Sequence, residues 1–439
     1  MKLTVIGAGY VGLVSGICFA DAGHSVICVD YDQNKIDLLK GGEIPIYEPG
    51  LKSLLHKNVE ANRLFFSSDL SHAVNKTDAV FIAVGTPSRR GDGSADLSYV
   101  LEATKEVAKI ATKYILFITK STVPVGTNRE LISLIQSTNP NLEFDVASNP
   151  EFLREGSAIK DFQKPDRIIV GVESSKAKKI IDEIYKPICL SDFPVIYTSL
   201  ESAEIIKYAS NAFLATKISF INEIAFLAEK AGGSIKDISK GLGLDNRIGS
   251  KFLNAGPGYG GSCFPKDTSA LVEMAKDYSV EMTIIESVIQ SNNNTKQRMV
   301  DKVINLSGGS VENQIITVLG VTFKPNTDDL REAPSLLIIP ALQKKGAKIR
   351  IVDPQGISEG KLIFEDADWF EDIYEACNDS SMIVILTEWD EFKALDLNTI
   401  AKNMDRAAMA DLRNIYSAEQ ALSNGFIAYD SVGTGSNKI

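Results

Sequence analysis

The sequence predicts an α/β protein with two doubly wound parallel sheets joined by a long central helix. Three observations predict it. Short apolar runs alternate with helical patterns through the first part of the chain. One unbroken helical pattern then runs from Ser202 to about Gly232. Strand-like runs resume around Asn313. Strands alternating with helices imply parallel neighbours joined by crossovers. The 439 residues suit two or three domains. The expected division is an α/β domain over 1–200, a central helical region over 201–305 and a second α/β domain over 306–439.

The elements follow in order. LTVIGAG reads as a buried strand, YVGLVSGICFADAG as a helix and SVICVD as a second strand, one βαβ unit. AVFIAV (79–84), ILFITKST (115–122), FDVASNPEF (144–152) and RIIVGV (167–172) are further strands, with helical patterns such as LSYVLEATKEVAKIA between them. The pattern from Ser202 has apolar residues three and four apart and stops at Gly232–Gly233. Its length and apolar character suit a connector that also buries a partner subunit. Helical patterns continue through the 260s to the early 300s. The second α/β region contains IITVLGVTF, a helix from about Ser335 to Lys345, KIRIVDP, MIVILTE and AAMADLRN, without a glycine-rich fingerprint. The tail VGTGSNKI is expected to fray.

Composition narrows the function. Hydrophobic residues make up 44% and charged residues 23%, ordinary for a globular chain. No apolar run reaches 18 residues, so no membrane span is expected. The start MKLTVIGAGYVG lacks the apolar block of a signal peptide. Five cysteines at irregular spacing, without a CxxC pair, point to free thiols in a reducing, cytoplasmic compartment and away from disulfides or a metal site. A net charge of -11 argues against nucleic acid as a partner. The three histidines, His24, His56 and His72, sit in no motif and read as surface or loop residues. Acid–base chemistry would then fall to Lys, Asp, Glu or water.

VIGAGYVG places Gly7, Gly9 and Gly12 in a G-x-G-x-x-G pattern between a strand and a helix, and Asp30 closes the next strand. In the Rossmann-type fingerprint Gly7 permits the tight turn, Gly9 lets a pyrophosphate approach the helix N-terminus and Gly12 allows close packing. Asp30 would accept from the adenine ribose and repel a 2′-phosphate, so NAD is favoured over NADP. Tyr10, Val11 and Lys35 are counted with this cofactor site. Later strands end in VGTPS (Gly85, Thr86, Pro87) and KSTVPVGT (Ser121, Thr122). Their hydroxyls could touch the cofactor or a reacting oxygen, or serve as caps and turn residues. Lys207 and Asn211, four apart on the long helix, share a face. Lys207 is either partly desolvated, with a lowered pKa, or a snorkelling surface lysine.

GPGYGGSCFPKD, Gly256 to Asp267, sets four glycines and two prolines around Cys263. A structural cysteine needs only an apolar pocket. Here the backbone bends and admits close approach. Cys18, Cys28, Cys189 and Cys377 read instead as small hydrophobes.

GAGYVG, STVPVGT, NPEFLREG, the helix with Lys207 and Asn211, RIGSKFLNAGPGYGGSCFPKD and VTFKPNTDDLREAPS follow in order. Over about residues 1–430 this arrangement resembles the nucleotide-sugar 6-dehydrogenase family. The resemblance implies NAD-dependent, four-electron oxidation of a sugar C6 alcohol, with UDP-glucose the expected substrate. Cys263 would capture the aldehyde as a thiohemiacetal and then carry a thioester for water to hydrolyse. A thiol's ordinary pKa of about 8.5 must fall for this, with Lys207 or Lys266 supplying the positive field. Asp267 would position the water used as base or in hydrolysis. Lys207, assisted by Asn211, would stabilise charge on the C6 oxygen. Thr122 and Glu155 would help hold the water and nicotinamide. Glu151 is counted with the catalytic residues, though both glutamates of NPEFLREG could simply cap or solvate a loop. Thr86, Lys266 and Arg331 are placed on the cofactor side. Phe152 and Leu153, through their backbone, and Tyr259, Gly260, Lys324 and Arg413 are placed on the substrate. Arg247 resembles the arginine that family members contribute across a dimer interface, so a homodimer is expected.

Other readings stay open. The substrate could be GDP-mannose or a UDP-N-acetylhexosamine. Serine before Cys263 and lysine before Asp267 favour UDP-glucose over the N-acetylhexosamine branch, which more often has histidine before the cysteine and lacks the lysine. A non-catalytic NAD(H) sensor would have no need of Cys263, Lys207, Asn211 and Asp267 together. A one-step hydroxyacid dehydrogenase would use the lysine and asparagine without a thiol.

Overall fold

Eight strands form the first sheet: β1 Lys2–Ile6, β2 Ser25–Val29, β3 Leu64–Ser67, β4 Ala79–Ile82, β5 Ile115–Thr119, β6 Phe144–Ser148, β7 Ile168–Val172 and β8 Val195–Thr198. A computed structural model of the chain describes residues 1–89, 93–189 and 194–435 and the backbone of 437–438. The first compact unit comprises Met1–Ser210 with Glu273–Val280, and the second comprises Asn211–Val272 with Glu281–Ile439.

Strand order in the first unit is β3-β2-β1-β4-β5-β6-β7-β8. β4 and β5 are buried at every residue, which is why they read as continuous apolar runs. Alternate residues serve opposite faces. Ala79 and Phe81 join a core with Phe19 and Tyr185, while Val80 and Ile82 join another with Val107 and Leu131. The sheet departs from the all-parallel expectation at one seam, because β6 and β7 pair antiparallel. β3 and β8 are edge strands of four residues that the sequence reading missed. LFFS of β3 is buried on one side only and too short to show a period. Strand order reverses between β1 and β4, where open sheets of this kind bind ligands beyond the strand C-termini.

The second unit's sheet comprises β9 Ile315–Leu319, β10 Lys348–Val352, β11 Asp368–Trp369, β12 Met382–Ile385, β13 Ala408–Asp411, β14 Ala428–Ser431 and β15 Asn437–Lys438. Its order, β11-β10-β9-β12-β13-β14-β15, repeats that of the first sheet's β3 to β6 and adds an antiparallel edge. Of the tail expected to fray, 437–438 pair with β14, while Ser436 and Ile439 lie outside the described residues.

The long helix spans Leu200–Ala231, 32 residues, or about 48 Å at 1.5 Å per residue. It stops where Gly232 turns left-handed at φ +77°, and the amide of Gly233 returns to the carbonyl of Ala228 at 2.9 Å. Phe213, Phe220 and Leu227 project from it 65%, 49% and 63% exposed, an apolar face with a seven-residue repeat. Helices Phe264–Asp277 and Thr283–Leu306 follow. The second of these sends Met299, Val300 and Val303 into the core of the second sheet.

Candidate active site

In the first unit, β1 ends in a turn built for glycine. Gly7 has φ +98°, and a Cβ there would stand 2.7 Å from the carbonyl oxygen of Ala83. A Cβ on Gly12 would run into the carbonyl of Gly7. Gly9 differs, since nothing lies within 4 Å of its missing Cβ. It caps the helix Tyr10–Asp21 without a side-chain hydrogen bond. An open space at uncapped helix amides suits a pyrophosphate. Asp30 accepts hydrogen bonds from the amides of Ala8 at 2.7 Å and Asp32 at 3.0 Å and from Lys35 Nζ at 3.3 Å. The acid is thereby fixed beside the turn. With Gly9 open and Asp30 in place, the residues present fit a dinucleotide.

The loops after β4 and β5 are tied together by hydroxyls. Thr86 Oγ1 donates to the carbonyl of Thr122 at 3.0 Å, and Ser121 Oγ donates to that of Val84 at 2.6 Å. The loop after β6 carries Glu151. One of its carboxylate oxygens accepts the Leu153 amide at 2.5 Å, and the other accepts Lys207 Nζ at 3.1 Å. Lys207 is 3% exposed, which decides between the two sequence readings in favour of desolvation. The Phe152 ring lies under Arg167, 3.8 Å from its guanidinium carbon, with Lys207 Nζ 5.2 Å from its centroid. Glu155 is half-buried nearby in sequence.

A second lysine escaped the sequence reading. Lys120, at the end of β5, donates to Asn149 Oδ1 at 3.2 Å and to the Tyr185 hydroxyl at 3.4 Å. Burial pushes its pKa down to about 8, with Glu151 acting to raise it and Lys207 to lower it. The available signal was a lysine directly after the five buried residues ILFIT, four of them apolar. His24 also departs from expectation. It is buried, its Nε2 donating to the Ile184 carbonyl at 2.8 Å, and burial lowers its pKa.

In the second unit, Cys263 immediately precedes the helix Phe264–Asp277, and its carbonyl accepts the Asp267 amide at 2.8 Å. The helix N-terminus favours negative charge there. Asp267 is fully buried, accepting from Asn211 Nδ2 at 2.6 Å and from Lys266 Nζ at 2.5 Å. The glycines before Cys263 pack tightly. Gly258 and Gly261 have φ of +104° and +83°, and a Cβ on Gly261 would stand 2.7 Å from the Phe323 ring. A Cβ on Gly260 would run into the carbonyl of Glu332. Tyr259 is buried and clamped by Asn292, which accepts its amide at 2.8 Å and donates to its carbonyl at 3.1 Å.

Arg413 donates to the carbonyls of Leu386 at 2.7 Å and Phe323 at 2.9 Å, beside Gly256. Lys324 is half-buried, its Nζ 5.1 Å from the Phe323 centroid. Arg331 is 59% exposed and paired with Asp329 at 2.7 Å. Arg247 is far more exposed than Arg413. Its side chain is 89% exposed and pairs with Asp245 at 2.6 Å. Cys18, Cys28 and Cys377 are buried thiols pushed up to about 12 by burial.

Family models of UDP-glucose/GDP-mannose dehydrogenases match three stretches: the NAD-binding domain over residues 1–189, the central domain over 201–294 and the UDP-binding domain over 317–418. The chain is 52% identical over 435 residues to UDP-glucose 6-dehydrogenase of Rhizobium meliloti, covering 99% of each protein. It is 48% identical over 434 residues to UDP-glucose 6-dehydrogenase TuaD of Bacillus subtilis, covering 98% of this chain and 93% of that one. The solved UDP-glucose dehydrogenase of Pyrobaculum islandicum matches with a TM-score of 0.91 and 36% identity, covering 98% of this chain and 97% of that one. The glycine turn with its acid and the glycine-framed cysteine thus fall within matched stretches of an NAD-binding domain and a central domain, and the chain belongs to the UDP-glucose/GDP-mannose dehydrogenase family.

Proposed function

We propose that this chain oxidises the C6 alcohol of UDP-glucose to the carboxylate of UDP-glucuronate, four electrons per sugar and two NAD per turnover. One observation carries the reading. Buried Asp267, held by Asn211 and Lys266, lies one helical turn after Cys263. A protein that only sensed NAD has no use for that arrangement.

Gly7, Gly9 and Gly12, the helix start at Tyr10 and Val11, and Asp30 with Lys35 would hold NAD, with Thr86, Thr122, Glu155, Lys266 and Arg331 assigned beside it. NAD supplies the acceptor for the two hydrides. The remaining chemistry belongs to the chain. Cys263 Sγ, as thiolate, adds to the C6 aldehyde; a C–S bond forms, and the carbonyl π pair becomes an alkoxide that takes a proton. Oxidation of this thiohemiacetal restores the carbonyl as a thioester. Water then adds, the C–S bond breaks, and the thiolate returns as the carboxylate forms. Asp267 positions the water. Lys207, Asn211 and Thr122 are assigned to the reacting oxygen and water, with Glu151 orienting Lys207. Phe152, Leu153, Arg247, Tyr259, Gly260, Lys324 and Arg413 are assigned to the nucleotide sugar.

The functional division proposed is NAD binding over 1–200, a helical dimerisation and cysteine region over 201–305, and sugar-nucleotide binding over 306–439. The apolar face of the long helix and the exposure of Arg247 support a homodimer in which Arg247 reaches the neighbouring site. Five free cysteines support a cytoplasmic setting.

The test is NADH formed per UDP-glucose consumed, with the sugar limiting. Two NADH and an acid product are expected. One NADH with free aldehyde would overturn the thioester route. No NADH from UDP-glucose, but turnover with GDP-mannose or a UDP-N-acetylhexosamine, would move the substrate.

A further inference from the structure

Glu48 lies in the loop before the helix Leu51–Glu60 and belongs to no motif recognised in the sequence. Its side chain is 6% exposed, and all of its partners lie in the first unit. One carboxylate oxygen accepts the hydroxyl of Tyr10 and the amide of Gly156, the latter at 2.6 Å. The other accepts the amide of Ala158 at 2.8 Å. Two distant segments therefore meet on one carboxylate. Tyr10 is the first residue of the helix behind the glycine turn. Gly156 and Ala158 close the loop that begins at Glu151 and open the short helix Ala158–Gln163.

The hydrogen bonding is asymmetric. Three donors converge on a group that, ionised, only accepts. Burial, and then the hydrogen bond to Glu48, push the Tyr10 hydroxyl far above its ordinary range, so it remains a donor at any working pH. The helix Ala158–Gln163 gets no side-chain hydrogen bond from its own N-cap, Ser157. Glu48 supplies that acceptor from 110 residues away. At its other end the loop is held by Glu151, which takes the Leu153 amide and Lys207. Nothing in simple packing requires the outer end of this loop to be tied to the cofactor turn, yet the structure ties it there through buried charge-assisted bonds.

We propose that Glu48 is a positioning residue that couples the cofactor turn to the 151–158 loop. This rests on the reading that the turn at Gly7–Gly12 holds the dinucleotide. A ligand seated at the start of the Tyr10–Asp21 helix fixes Tyr10. Tyr10 fixes the Glu48 carboxylate, and Glu48 fixes the amides of Gly156 and Ala158. The loop that presents Glu151, Phe152, Leu153 and Glu155 then becomes more ordered when the cofactor is in place. Coupling of this kind is reciprocal, so ordering the loop tightens the cofactor turn as well.

The test is amide hydrogen exchange of the full chain with and without NADH, followed over peptides covering 151–158. It needs neither turnover nor the correct sugar. Wild type, Tyr10→Phe and Glu48→Gln are each studied at an NADH concentration that saturates that variant. Tyr10→Phe deletes the hydroxyl's bonds to Glu48 and to the Gly156 amide and keeps the ring. Glu48→Gln turns one acceptor into a donor facing a donor. In the wild type, NADH is expected to slow exchange in this segment by about 5-fold or more, the lower end of typical coupling. In Tyr10→Phe that slowing should shrink to less than 2-fold. A purely structural role for Glu48 would change exchange equally with and without NADH. Equal NADH-induced slowing in all three proteins, or none in the wild type, overturns the proposal. The stoichiometry of NADH per UDP-glucose tests the functional reading separately, so the two can fail independently.

Discussion

Lys207 Nζ lies 3.1 Å from Glu151 Oε1, and their side chains are 4% and 6% exposed. Two charges withdrawn from water to this degree hold each other in place, because removing either one takes a close counter-charge from a buried ion. The pair joins the long helix to the loop after β6 and fixes the ammonium assigned to the C6 oxygen.

Breaking the pair from either side should therefore cost more than an ordinary surface change. Lys207→Met or Glu151→Gln should each lower stability by about 3 kcal/mol. The double variant should recover part of that loss, since it removes both members of the pair, though Lys120 still loses the Glu151 charge. Activity should not follow stability. All three variants should lose about 100-fold or more in turnover, as when a donor to a reacting oxygen is removed. Urea unfolding and NADH formation measure the two effects. A double variant that regained both would make the pair structural only.

Lys120 gives a pH signature. Its neighbours across the interior are Asn149, Tyr185, Glu151 and Lys207. Its folded pKa is lowered to about 8, while the unfolded chain keeps a lysine value of about 10.4. Between those values the unfolded chain holds the proton and the folded chain has released it. Stability then gains with rising pH, by up to about 1.4 kcal/mol per unit. Below the folded pKa both states are protonated, and the full burial penalty stands. Urea unfolding from pH 7 to pH 10 should give the wild type a more positive slope than Lys120→Met above pH 8. Parallel slopes would show that Lys120 does not titrate in this window.

What was legible in the sequence follows from the range of the signals. Gly7, Gly12 and Asp30 were readable because the turn's requirements fall within one βαβ unit. The second sheet repeats the same device invisibly. Gly320 turns at φ +87°, and Asp353 accepts the Val321 amide at 2.7 Å, much as Asp30 accepts that of Ala8. Thr322 and Pro325 stand where the counterparts of Gly9 and Gly12 would have marked it. β3 and β8 were missed because four residues at an edge carry no measurable period, and β14, though paired on both sides, is likewise only four residues long. Glu48 and Lys120 were missed for another reason. Their partners lie up to 110 and 65 residues away, and a single carboxylate or lysine announces no distant donor or acceptor.

Cys263 should be dispensable for folding and essential for acid. It is half-buried at a helix start, and serine fills nearly the same volume. Cys263→Ser should change stability by less than about 1 kcal/mol. It should form UDP-glucuronate at least about 1000-fold more slowly, because an oxygen ester, if it forms, lacks the thioester's reactivity toward water. Acid formation at the wild-type rate would remove the covalent mechanism and leave the fold intact.

Arg247 offers a test of assembly and chemistry at once. Its side chain is 89% exposed and pairs only with nearby Asp245 among the described residues. Such an ion pair contributes little to stability, so Arg247→Ala should melt like the wild type. If Arg247 serves a neighbouring site, the substrate KM should nevertheless rise by about 100-fold, the loss expected of one charge-assisted contact to a phosphate. Mixing decides whether the residue acts within its own chain or across to another. Arg247→Ala chains keep their thiol but lack the arginine; Cys263→Ser chains keep the arginine but lack the thiol. In a hybrid, a reaching arginine from the second chain completes the site that holds the first chain's thiol, and activity at low UDP-glucose returns. An arginine acting within its own chain leaves every site of the hybrid defective. Recovery on mixing after partial denaturation and refolding establishes the shared site. Absence of recovery, with hybrids demonstrated by native mass spectrometry, confines Arg247 to its own chain.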